Sequence, residues 1–117
     1  PGSSSVNTIQ FVTIATTGNA QDFGDLLTTL DGTAIGASPT RILAMGGGNP
    51  NTSPTTRLNT IDYVEIATTG NAQDFGDLTI GKIGGSGVSS NTRAVAMGGV
   101  AGPALNNTID FVTIATT

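Results

Sequence analysis

The side chains of this sequence that can do chemistry carry oxygen. There are eight Asp or Glu but no Cys and no His among 117 residues, which excludes thiol nucleophiles, imidazole bases, disulfides and nitrogen or sulfur metal cages. Two carboxylate pairs recur, Asp22 with Asp25 and Asp74 with Asp77, each just after a Gly-Asn turn signal. Hard cations take oxygen ligands of this kind, but neither the EF-hand spacing nor a GGxGxD repeat is present. The plainer reading is a solvated turn whose Asp caps backbone amides. Glycoside hydrolysis would need two carboxylates at a set separation, one held protonated by burial, and nothing in the sequence indicates such burial. Asp22-Phe23-Gly24 and Asp74-Phe75-Gly76 spell the metal-binding triplet of protein kinases, without the glycine loop, strand lysine or catalytic loop that give it meaning. Phe23 and Phe75 read instead as core aromatics flanked by turn residues. No catalytic residue, metal site or cofactor is expected, and the chain is read as a non-enzyme.

The four basic residues, Arg41, Arg57, Lys82 and Arg93, are scattered, and the net charge is -4. A nucleic-acid partner is not expected of such a surface. No apolar run approaches the roughly 18 to 20 residues of a membrane helix, and PGSSSV at the start has neither a basic nor a hydrophobic region. The absence of Cys suits either redox compartment. Asn51-Thr52-Ser53 and Asn106-Asn107-Thr108 would accept glycans only on a eukaryotic secretory route. The polar groups best placed to meet a ligand are Asn49, Asn51, Thr52, Asn91 and Thr92, all in turn-rich stretches.

The chain repeats itself. Residues 14–26 and 66–78 both read IATTGNAQDFGDL, and a preceding segment occurs three times, as NTIQFVT, NTIDYVE and NTIDFVT, starting at Asn7, Asn59 and Asn107. The repeats therefore span 7–58 and 59–106, with a partial repeat at 107–117, in a single repeat-built segment 1–117. Arg41 and Arg93 stand at the same place in their copies, as do Gly46-Gly47 and Gly98-Gly99. The four-residue length difference must then fall after the glycines, in GNPNTSPTTRL against VAGPALN, where an insertion costs little loop entropy. The stretches from Leu27 and Thr79 differ in residues but not in length, which predicts a fixed path with exposed side chains. PGSSSV takes the place of a post-glycine loop and the final IATT stops inside a repeat, so both ends read as interior points of a longer array.

Apolar residues come in short clusters of Val, Ile, Phe and Tyr bounded by Gly, Asn and Thr, with no helical periodicity. NTIDYVEIA is apolar on both alternating sets and predicts a strand covered on two faces. RILAMGG and RAVAMGG read as small-residue strands ending where the backbone approaches closely or takes positive φ. TTGNAQDFGDL reads as a tight turn and a short strand. Each repeat then holds about four short strands. One such sheet cannot shield both faces, whereas sheets packed around an axis can.

The order of Arg41 or Arg93, small apolar strand, Gly46-Gly47 or Gly98-Gly99, variable loop, then Tyr63 and Phe75 with Leu78 resembles the kelch repeat. Phe replaces the usual Trp at 23 and 75, and Phe11 and Phe111 replace the Tyr. Near-identical copies also resemble, more loosely, kelch-like arrays in marine phage structural proteins. The resemblance implies an all-β propeller with blades of four antiparallel strands, about two blade equivalents per chain. It also implies that Arg41 and Arg93 are structural, pairing with a carboxylate such as Asp62 or Asp110 or with a carbonyl of the next blade. A β-solenoid is the alternative fold, and it predicts shorter rungs.

The chain is accordingly read as a structural or recognition module that self-associates into a closed multi-blade ring, with a glycan or a protein as ligand. The alternative is a lectin with one shallow site per blade. A virion or extracellular setting fits either.

Overall fold

A computed structural model describes residues 5–115. The described residues are all-β with no helix. Eleven strands run in chain order: β1 (Thr8–Phe11), β2 (Gln21–Asp25), β3 (Ala34–Ala37), β4 (Arg41–Asn49), β5 (Thr56–Glu65), β6 (Gln73–Asp77), β7 (Ser86–Ser89), β8 (Arg93–Met97), β9 (Val100–Ala101), β10 (Ala104–Leu105) and β11 (Ile109–Thr113). They form a complete four-stranded sheet, β3-β4-β5-β6, flanked by a three-stranded sheet, β11-β8-β7, and a two-stranded one, β1-β2. A small hairpin, β9-β10, makes a fourth sheet. Every pairing is antiparallel and no sheet closes on itself.

The segments NTIQFVT, NTIDYVE and NTIDFVT contribute β1, β5 and β11, and both QDFGD segments are strands, β2 and β6. Their pairings share one register. Thr8↔Asp25, Ile9↔Gly24, Gln10↔Asp22 and Phe11↔Gln21 in one sheet correspond to Thr60↔Asp77, Ile61↔Gly76, Asp62↔Asp74 and Tyr63↔Gln73 in the other, with a bulge at the same step. The bulge adds one residue to the outer strand and bends it.

After the glycines the two copies also run alike. Gly47↔Leu58, Gly48↔Arg57 and Asn49↔Thr56 extend β4 and β5 into a hairpin arm, matched by Val100↔Leu105 and Ala101↔Ala104 in β9-β10. The arms end in turns of different size, residues 50–55 in the first and 102–103 in the second. These turns hold the whole four-residue difference between the copies. Gly47 and Gly99 take φ of +108° and +95°. A Cβ on Gly99 would meet the Ile83 carbonyl at 2.7 Å, so the position needs both glycine's conformational freedom and its lack of a side chain.

The core lies between the sheets. One face of the four-stranded sheet, with Leu43, Met45, Ile61 and Phe75 and with Leu78 just after β6, packs on Ala94 and Ala96 of the three-stranded sheet and on Ile114 just after β11. Its other face offers Val64, which packs with Phe23, Ala72, Ile9, Phe11 and Leu26. β5 is thus covered on both faces, as the double apolar pattern of NTIDYVEIA requires. The sheets approach closely at small residues: a Cβ on Gly36 would lie 2.7 Å from that of Ala94, and one on Gly87 would run into the Ile35 backbone.

The stretch from Thr79 departs from its expected exposure. It does keep the path of its counterpart, the bridge Ile83↔Val100 matching Asp31↔Gly48, but Lys82 within it is buried, at 2% exposure. A long aliphatic stem and a hydrogen-bonding head let lysine occupy an interior site when an acid waits there. Residues 1–4 of the segment read as a loop, and 116–117 of the last partial repeat, lie outside the described residues.

Candidate functional site

Arg41 reaches across sheets. Its Nε donates to Glu65 Oε1 at 2.6 Å and its Nη1 to the Ile114 carbonyl at 2.9 Å, while the guanidinium lies 4.6 Å from the centre of the Tyr63 ring. The carboxylate partner is Glu65, not the anticipated Asp62 or Asp110, because the register sets Arg41 opposite Glu65. The bond to Ile114 does cross to the neighbouring sheet. Arg93 repeats the ring contact, 4.5 Å over Phe111.

Asp62 and Asp110 are instead buried beneath the connections between sheets. Asp110 Oδ1 accepts from Thr79 Oγ1 at 2.7 Å and Oδ2 from Thr79 N at 3.2 Å, and Lys82 Nζ lies 3.8 Å from Oδ2. The ammonium also donates to the Ala96 carbonyl and Thr108 Oγ1, each at 3.4 Å. At the other junction Asp62 Oδ2 accepts from Leu27 N at 3.2 Å, and the position corresponding to Lys82 is Leu30. Burial pushes the Asp62 carboxyl above its ordinary value; the Leu27 N–H opposes the rise and the charge of Asp74 adds to it. Burial of acids is therefore present, but not at the pairs singled out from sequence: Asp22, Asp74 and Asp77 are exposed and Asp25 half-buried. Among the described residues no group of three or more acids could hold a metal ion.

The polar candidates divide between opposite strand ends. Asn49, Asn51 and Thr52 sit in and before the 50–55 turn, at the far end of β4 from Arg41. Their groups are used locally: Asn49 Oδ1 accepts from Asn51 N at 3.0 Å, and Thr52 Oγ1 donates to the Asn49 carbonyl at 2.9 Å and accepts from Thr56 N at 2.7 Å. Asn91 and Thr92 occupy the tight β7–β8 turn beside Arg93, both exposed, with the Thr92 carbonyl accepting from Ile114 N at 2.8 Å. Phe23 and Phe75 are buried and meet Phe11 and Tyr63 edge-on, with ring centres 5.9 and 5.8 Å apart. Tyr63 adds a hydrogen bond to Gln73 at 2.7 Å.

The largest unfilled surfaces lie where sheets are incomplete. β1 and β2 correspond to β5 and β6, but among the described residues nothing beside them corresponds to β3 and β4, so β1 has a free edge. The face of the four-stranded sheet beside that gap carries Ile35 and Ile42, exposed by 48% and 37%, and lines a groove of about 320 Å³ with Ala44, Asp62, Ile9 and Leu26. At the opposite end of the molecule β11 has a free edge, since among the described residues no strand there corresponds to β6. There Val88, Ile109 and Phe111 are exposed by 54%, 68% and 60%, although the matching Ile61 of the complete sheet is fully buried. Apolar surface concentrated at open sheet edges and faces is the kind that contacts between protein chains cover. The exposure of these side chains is not readable from the sequence, because it depends on which neighbouring strands are absent. The sequence matches no protein-family model, and no curated protein shows significant similarity to it.

Proposed function

We propose that this chain is a non-enzymatic assembly module, a segment of a β-propeller built from four-stranded blades, whose copies join into a closed ring. The observation that carries the reading is the repetition of one packing mode at two successive junctions. The face bearing Ile61, Tyr63, Phe75 and Leu78 meets Val112 and Ile114 of the next sheet, and the corresponding face, with Ile9, Phe11, Phe23 and Leu26, meets Val64. A junction used twice with the same side leading is heterologous, and such contacts close into rings when the rotation permits. The unfinished ends are complementary in content: one lacks inner strands, the other an outer strand. In a ring of such copies the exposed Ile35, Ile42, Val88 and Phe111 become interior, and the turns at strand ends are left to meet a protein or glycan ligand.

Native mass spectrometry of the full chain tests the ring. A discrete oligomer of the 11.6 kDa chain, roughly two to four copies if blades number four to eight, is expected. A well-folded monomer at micromolar concentration overturns the reading. Glycan-array binding abolished by Asn91→Ala would move the ligand class to carbohydrate.

A further inference from the structure

The two ends of the chain carry nearly the same strand, and only one of them can occupy the shared place in a joined sheet. Residues 7–15 and 107–115 differ at a single position, Gln10 against Asp110. Joining β7 and β8 of one copy to β2 of the next leaves one third-strand position between them, for which β11 of the first copy and β1 of the second compete. Resting on the ring reading above, we propose that β11 keeps this position, that β2 of the next copy adds to its free edge, and that β1 of that copy is released.

The selecting residue is Asp110. On β11 it accepts from Thr79 twice and faces the buried Lys82 of its own chain. Were β1 of the next copy to replace β11, Lys82 would face the neutral Gln10, and a buried ammonium would lose its counter-charge. Releasing β1 carries no such cost. No charged side chain of β1 is lost, and its pairing with β2 is replaced by an equivalent one. The template is the complete sheet: Thr60↔Asp77, Ile61↔Gly76, Asp62↔Asp74 and Tyr63↔Gln73 become Thr108, Ile109, Asp110 and Phe111 of one copy opposite Asp25, Gly24, Asp22 and Gln21 of the next. Phe111 then takes the edge-on place beside Phe23 that Phe11 holds in the single chain, and Ile109 gains the cover that Ile61 already has.

The lack of cysteine permits a direct test on the 117-residue chain. Two double variants are oxidised under native conditions after native mass spectrometry: Gln21→Cys with Phe111→Cys, and Gln21→Cys with Phe11→Cys. The expected result is covalent multimers from the first and free thiols in the second. An intact oligomer with the pattern reversed, an intrachain disulfide between positions 21 and 11 and no multimers from the first pair, overturns the exchange while leaving the ring standing. Monomeric mass for both variants and for the parent chain overturns the ring and the exchange together. Adding Gln10→Asp and Asp110→Asn to each pair moves the counter-charge to β1 and is expected to reverse the pattern; an unchanged pattern overturns Asp110 as the selecting residue.

Discussion

The Arg41 guanidinium donates to the main-chain carbonyl of Ile114, 2.9 Å away, and so ties the four-stranded sheet to the three-stranded one across 73 residues of chain. The same group is held by Glu65 and covered by Tyr63. A planar fork that donates in two directions while stacking is something arginine offers and lysine does not. Arg41→Ala is expected to cost about 1.5–3 kcal/mol, the range for hydrogen bonds from charged groups, and Arg41→Lys to recover less than half. Chemical denaturation read by circular dichroism measures both; equal stability of the lysine variant and the parent would remove the bridging role.

Lys82 and Asp110 form a buried pair whose members depend on each other. Lys82→Met strands Asp110 and is expected to cost about 3–5 kcal/mol, while Lys82→Met with Asp110→Asn recovers most of the loss, since the amide can still accept from Thr79. The Leu30 and Asp62 junction shows that this fold accommodates an apolar residue at the lysine position. A double-mutant cycle gives the coupling, and additive effects would mean that the two groups do not interact.

Asp62 makes stability depend on pH. Its folded-state pKa is raised above the ordinary 3.8, so between those two values the folded form holds more protons than the unfolded one, and stability falls as pH rises through that window. The penalty is absent below the unfolded value and complete above the folded one. Asp62→Asn removes it while keeping an acceptor for Leu27 N. The variant is expected to be more stable than the parent at pH 7, with the difference shrinking towards pH 3. A difference that grows on acidification would refute the assignment.

Gly99 combines positive φ with a backbone oxygen in the space a side chain would take. Gly99→Ala is expected to lose about 1–3 kcal/mol from strain, with any adjustment around Ile83 adding to it. Gly18 and Gly70 have open space around them and no such φ, so alanine there is expected to be neutral or slightly stabilising. Thermal melts of the three single variants separate the cases.

Much of the local structure was legible because it is local. Alternating apolar sets in NTIDYVEIA, the positive φ of the diglycines and the placement of the length change follow from residue type and spacing, whereas the turn expected at Thr-Gly-Asn forms earlier, at residues 14–16 and 66–68, and β4 runs on through its glycines to Asn49. Repetition then multiplied each inference, since a segment that folds one way in one context takes the same register in the next. What the tertiary structure decided is which side chains lose water. The register puts Glu65 rather than Asp62 within reach of Arg41; the path between sheets buries Lys82 beside Asp110 and Asp62 beneath Leu27; and the absence of neighbouring strands leaves Ile35, Ile42 and Phe111 open. Burial is a property of contacts between segments distant in sequence, and identical segments acquire different surroundings at each position along the chain. The same near-duplicate strand is therefore a half-buried edge at Phe11, a covered interior strand at Tyr63 and an open edge at Phe111.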